Sequence, residues 1–168
     1  MKFEILVEGV SDKTTLWNIL PRILGPRKQP HEWFIRKHQG IGKLPDAPDA
    51  RIKSTDNTLL GQLPTKLKAY GKAKGQDEIV VVLVDLDGKD ESTFRTRLEG
   101  LVAMIDPRPN VLVCFAIEET EAWYLGDQAA LFKAFPEARD RRSLVDGYVL
   151  DDPASADIRG RDIHFNEG

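Results

Sequence analysis

Apolar and polar positions alternate between two periods along most of this chain. Phe3-Glu4-Ile5-Leu6-Val7 reads as a strand almost at the start. Glu8-Gly9-Val10-Ser11-Asp12 breaks it, with Ser11 as the expected N-cap, and Leu16, Ile19, Leu20 and Ile23 then recur at helical spacing. Pro21 predicts a kink in that helix and Gly25-Pro26 its end. Glu32-Trp33-Phe34-Ile35-Arg36 is the second expected strand. Leu59, Leu60, Leu63, Leu67 and Tyr70 restore a helical face, which Pro64 interrupts. Ile79 to Val84 is an unbroken apolar, mostly β-branched run, the pattern of a strand buried on both sides in a parallel sheet. Phe94, Leu98, Leu101, Val102 and Ile105 make the next helix, closed by Asp106-Pro107. Asn110 to Ile117 gives a fourth strand, and Glu118 to Leu125 a short helix. Strand and helix alternate four times, which predicts an α/β fold: a mostly parallel sheet of about four strands flanked by helices.

After Gly126 the pattern weakens. Ala129 to Phe135 suits a further short helix, whereas Tyr148 to Gly168 has little apolar content and no period. Residues 1–127 therefore read as the core and 128–168 as an extension. The lack of a closing element suits a truncated chain or a disordered tail. A length of 168 residues fits one ordinary domain. With 24 Lys and Arg against 27 Asp and Glu, bulk charge does not draw this protein to nucleic acid. Such binding would need a local basic face or bridging metal ions. The single cysteine, Cys114, excludes a disulfide framework and a cysteine-rich zinc site. It lies midway along an apolar strand, without a visible electropositive neighbour, and reads as a small buried hydrophobe. No apolar run is long enough to span a membrane and no signal peptide stands at the N-terminus, so the cytoplasm is the expected compartment. Trp17, Trp33 and Trp123 read as core or partly buried surface, and the three histidines have no metal-ligand spacing.

The chemistry gathers at strand ends. Glu8 follows the first strand, Asp85 and Asp87 the third, and Glu118, Glu119 and Glu121 the fourth. In a parallel sheet, ligands bind outside the carboxyl ends of the strands. Each of these acids, taken singly, also suits the ordinary preference of Asp and Glu for helix N-termini. Together they would repel one another without a partner. A hard divalent cation such as Mg²⁺ supplies one.

Glu8-Gly9-Val10-Ser11-Asp12 after an N-terminal strand, with Asp85-Leu86-Asp87 after a buried strand, resembles the Toprim domain of topoisomerases, primases and overcoming-lysogenization-defect nucleases. Leu6-Val7-Glu8-Gly9, Gly40-Ile41-Gly42-Lys43-Leu44 and Ile117-Glu118-Glu119-Thr120-Glu121-Ala122-Trp123 are similar to a bacterial Toprim-like family that accompanies ATPases in phage-defence loci. The resemblance covers residues 1–127. It implies a Rossmann-like fold and an Mg²⁺- or Mn²⁺-dependent nuclease acting on DNA or RNA in defence or repair. Glu8 would be general acid/base or metal ligand, Asp85 and Asp87 the metal-binding pair, and Asp12 the further acidic position of the nuclease branch. Glu118 or Glu121 would complete the ligands. The alternative is a non-catalytic partner or regulator of an ATPase.

The long connection from Lys37 to Asn57 has no period and is expected to be functional or mobile. One reading makes it a solvated loop. The other has Arg36, Lys37, His38 and Lys43 contact phosphates beside the acidic site. Gly40-Ile41-Gly42-Lys43 is not a P-loop, since Leu44 stands where Ser or Thr should hold Mg²⁺. Asp85-Leu86-Asp87-Gly88 also resembles haloacid-dehalogenase-type phosphatases, where the first Asp is a nucleophile. That pattern wants Thr or Val in place of Lys89 and an N-terminal strand.

Overall fold

In the computed structural model, which describes residues 1–50, 53, 55–73, 77–86, 88–116 and 128–136, strands and helices alternate as the hydrophobic pattern predicts. The order is β1 (Lys2–Val7), α1 (Val10–Ile23), β2 (Glu32–Lys37), α2 (Leu59–Ala73), β3 (Glu78–Asp85), α3 (Glu91–Ala103), β4 (Asn110–Ala116) and α4 (Gln128–Ala134). The four strands form one parallel sheet in the order β2-β1-β3-β4. This is an α/β, Rossmann-like arrangement. The chain divides into two compact units, 1–117 and 118–168, and the sheet belongs wholly to the first. The expected helix at 118–125 lies outside the described residues.

Side chains alternate across a strand, so each sheet face has its own cast. Val80, Val82 and Val84 are fully buried and join Leu6 in one cluster with Leu59, Leu60, Leu63 and Leu67 of α2 and Phe94, Leu98, Leu101 and Val102 of α3. The other face carries Ile5 and Val7 of β1 beside Trp33 and Ile35 of β2. There α1 lies against β2, and Trp17 meets Trp33 edge to face at 5.4 Å. The expectation that β3 is buried on both faces therefore holds fully toward α2 and α3. It holds less completely on the other face, where Val81 is half-buried.

Helix ends differ in detail from the sequence expectation. The N-cap of α1 is Gly9, not Ser11, which is exposed inside the helix. Asp12, at the third helical position, closes this end by accepting the Gly9 N–H at 2.8 Å. A carboxylate at that position satisfies one orphan donor and opposes the helix dipole, so the cap moves back to the residue it can reach. Asp90 caps α3 in the ordinary way, accepting the Thr93 N–H at 2.8 Å. Helix α2 continues through Pro64, near its start, and Pro21 falls in the last turn of α1. Gly71 of α2 admits the backbone carbonyl of Pro107, into which a Cβ would run.

The connection after β2 is held at both ends. The Gln39 N–H reaches Asn57 O at 3.0 Å, Leu59 N–H reaches Gly40 O at 3.0 Å, and Leu60 N–H reaches Ile41 O at 2.8 Å. Leu44 is buried in the core. Gly40 and Gly42 have positive φ, and a Cβ on Gly42 would meet the Thr58 side chain. Glycine is what lets the chain turn this tightly against the start of α2.

Candidate functional site

The strand order fixes where a site can form. From β1 the chain moves outward to β2, then returns past β1 to β3 and on to β4. The direction reverses between β1 and β3, and in open parallel sheets it is outside the carboxyl ends at such a reversal that ligands bind. Glu8 directly follows β1, and Asp85 ends β3. The backbone N–H of Asp85 donates to Glu8 Oε1 at 3.0 Å. Both residues are partly buried. The first and third strands are thus adjacent and their terminal acids converge on one edge, as the sequence predicts for Glu8 and Asp85.

Asp12 sits one helical turn away, buried, with its Oδ2 engaged by Gly9. The expected catalytic Asp12 is thus a helix-closing carboxylate in this structure. The N-terminus of α1 opens beside Glu8, so its partial positive charge faces the same edge. Among the described residues no group of three or more His, Cys, Asp or Glu side chains is arranged to hold a metal ion. Asp87, Glu118 and Glu121 lie outside the described residues. Glu8 and Asp85 supply hard oxygen donors, and one or two carboxylates with waters and phosphates are what Mg²⁺ asks of a protein. Their chemistry fits that ion.

The four expected phosphate contacts separate. Lys37 and Lys43 are exposed. Lys37 ends β2 in register with Val7, and Lys43 follows Gly40, whose N–H binds Glu8 O at 2.9 Å. Arg36 instead clasps Glu4, with Nε at 2.8 Å and Nη2 at 3.3 Å. A buried carboxylate in the middle of a strand claims the nearest guanidinium, while the Arg36 side chain stays about half exposed. His38 is engaged within the fold as well. Its ring is buried, and Nδ1 lies 2.8 Å from Val7 O. A carbonyl only accepts, so Nδ1 carries the proton. Nε2 is left buried without a partner. Burial pushes the His38 pKa down, the bond to Val7 opposes this, and the charge of Lys66 adds to the depression. The ring is a neutral acceptor rather than a cation for phosphate.

Sequence reasoning missed Glu4, buried and bound by Arg36, by Lys2 at 3.2 Å and by Tyr70 OH at 3.4 Å. Its signal was available: Glu4 shares the face of Leu6, where a charge needs partners. Cys114 is half-buried rather than fully buried as expected, and burial raises its thiol pKa. Arg95 is an electropositive neighbour that the sequence did not reveal, but its opposing effect is the smaller.

A family model described as a domain of unknown function, DUF4276, matches residues 7–154. The chain belongs to the DUF4276 family. No curated protein and no solved structure matches it. The DUF4276 match begins at Val7 and so takes in Glu8, Asp12 and Asp85 together. No helix among the described residues is long and apolar enough to cross a membrane.

Proposed function

We propose that this DUF4276 domain binds Mg²⁺ or Mn²⁺ through Glu8 and Asp85 and cleaves phosphodiester bonds of nucleic acid. The observation that carries the reading is the Asp85 N–H bond to Glu8 Oε1 at the switch point between β1 and β3. The amide fixes one carboxylate oxygen before any ligand arrives, and fixed charge is what electrostatic catalysis needs. A bound divalent ion would supply a lowered pKa for water and compensation for charge on the reacting phosphate. Asp87, with Glu118 or Glu121, is the proposed remainder of the ligand set, following the Toprim resemblance. Exposed Lys37 and Lys43 would hold flanking phosphates. The α1 N-terminus would favour an anion at the same edge.

The test is incubation of the purified protein with plasmid and with single-stranded substrates, with and without Mn²⁺, beside Glu8→Gln. The amide variant can still accept the Asp85 N–H, so it preserves the local geometry while removing the charge. Metal-dependent cleavage by the wild type, reduced at least a hundredfold in Glu8→Gln, is the expected result. Metal binding without cleavage would instead make the domain a regulatory partner, for example of an ATPase. Equal cleavage by both proteins would remove Glu8 from the chemistry.

A further inference from the structure

The formal charge of -3 conceals a strong asymmetry. From Lys13 to Lys43, both included, there are seven Lys and Arg residues and one acid, Glu32. This segment is α1, the turn after it, β2 and the start of the next loop, and α1 lies against β2 at the open edge of the sheet. Lys13 and Arg22 lie on α1, Arg27 and Lys28 in the turn after it, and Lys37 on the Trp33 face of β2, whereas Arg36 shares the opposite face with Glu4.

Aromatic rings are interleaved with them. Trp17 is 47% exposed although it packs on buried Trp33. The Arg27 guanidinium lies 4.5 Å from the centre of Phe34 and 5.8 Å from that of Trp17. Arg36 and Lys2 also approach Phe34, at 5.1 and 5.8 Å. Glu4 and Glu78 compensate Lys2, and Glu4 compensates Arg36, whereas Arg27 has a backbone carbonyl, Trp33 O, as its hydrogen-bond acceptor. Lys13 stands one turn before Trp17 on α1, and Lys28 is exposed beside Arg27. Cations held over ring faces lose little freedom when they meet a ligand.

We propose that this flank, from Arg27 and Lys28 past Trp17 to Lys13 and Lys37, is a docking track for single-stranded nucleic acid leading to the Glu8 edge. The proposal rests on the nucleic-acid reading above and deepens it by naming the substrate class. An exposed indole offers a flat face to an unpaired base, which a duplex keeps stacked within itself. The track also has the right direction. Strand β2 spans about 20 Å, enough for a few nucleotides, and ends with Lys37 level with Val7, next to Glu8. A peptide adding itself as a strand fits poorly, because Arg27 Nε already occupies the Trp33 carbonyl on β2.

Binding of fluorescein-labelled dT12, U12 and a 12-base-pair duplex is measured in chelator across a salt series, so that cleavage plays no part. Either single strand should bind more tightly than the duplex, and the two separate DNA from RNA as the preferred source. Trp17→Leu, which keeps apolar cover on Trp33, should weaken single-strand binding about tenfold with an unchanged salt slope. Lys28→Glu, at an exposed position, should lower the magnitude of the slope by about 0.7 or more. Melting curves establish that both variants fold; should Trp17→Leu fail, Lys28→Glu and Arg27→Gln carry the test. In chelator Glu8→Gln removes only a negative charge at the end of the track and should bind the strands no more weakly than the wild type, so loss of cleavage and loss of the track are separate results. Equal or tighter duplex binding, or affinity unmoved by these substitutions, would overturn the proposal. Preferential binding of an acidic peptide at Trp17 would assign the flank to a protein instead.

Discussion

Two glutamates four residues apart, one within β1 and one just past its end, meet opposite fates. Glu4 lies inside β1 and is 2% exposed, with Arg36, Lys2 and Tyr70 directed at its carboxylate. Glu8 lies just past the strand end, partly open, and takes the backbone N–H of Asp85. Burial alone would push the Glu4 carboxyl up. The hydrogen bonds and charges of Arg36 and Lys2 outweigh this and hold it below its ordinary value. Depth within the sheet thus separates a carboxylate that the fold neutralises with side chains from one positioned by a main-chain dipole where a ligand can arrive. A charge in mid-strand serves the fold; the same charge at the carboxyl edge is open to chemistry.

The largest effect should follow from breaking the first arrangement. Arg36→Ala leaves Glu4 buried with Lys2 alone as its cation, and should cost about 3 kcal/mol, the low end for stranding a buried charge, because the Arg36 side chain is itself half exposed. For a chain of this size that lowers the melting temperature by roughly 10 °C. Replacing both partners, Glu4→Leu with Arg36→Met, should recover much of the loss, because no uncompensated charge remains. Equal melting temperatures for wild type and Arg36→Ala would show that Glu4 does not depend on this partner.

The fold was legible because its strands and helices obey clean periods. β3 is a run of valines, and the two faces of the sheet are set by alternation that the eye can follow from Leu6 and Val82. The site was half legible. Glu8 and Asp85 stand directly after apolar runs, where a parallel sheet ends, and topology then brings them together. What the sequence did not reveal was local competition. Arg36 and His38 looked like solvent-facing cations because sequence reveals charge and position but not which buried acceptor will claim the side chain. Glu4 supplies that acceptor for Arg36, and the Val7 carbonyl supplies it for His38. Ser11 lost its expected cap for a similar reason, since Asp12 already closes that end through Gly9.

The second test concerns Glu8 and its neighbour. A ligand that binds only the folded state stabilises it by mass action, by about 2.7 kcal/mol at a hundred times its Kd. Mn²⁺ at that excess should raise the wild-type melting temperature by several degrees, and Asp85→Asn should abolish the rise. Arg36→Ala, although less stable, should retain the full metal-induced increment, because Glu4 is not part of the site. A lost increment in Arg36→Ala would join the two regions that the comparison separates.

Acid should weaken the fold at Glu4 and at His38 in different windows. The depressed Glu4 pKa contributes stability that is complete above the ordinary value of 4.5 and is lost as pH falls through its lower folded value. The depressed His38 pKa acts earlier. Its contribution is complete above 6.5 and declines as pH falls toward the folded value, because the unfolded chain then binds the extra proton. Melting temperatures between pH 7 and pH 3 should therefore fall in two stages. His38→Gln should flatten the first, and Glu4→Gln the second. A single late stage in the wild type would contradict the buried, neutral state of His38.

The smallest expected effect separates two roles for Asp12. Its Oδ2 accepts the Gly9 N–H at 2.8 Å, and a cap of this kind contributes about 1 kcal/mol. Asp12→Ala should lose that amount, a shift of roughly 3 °C in melting temperature. Asp12→Asn keeps an oxygen acceptor but no charge, so it should remain within a few tenths of a kcal/mol of the wild type. The informative quantity is then cleavage by Asp12→Asn at matched stability. Full activity leaves Asp12 as the residue that closes α1 and directs its N-terminus toward Glu8. A loss comparable to that of Glu8→Gln would require the Asp12 charge itself, and would extend the reactive edge one helical turn beyond the strand ends.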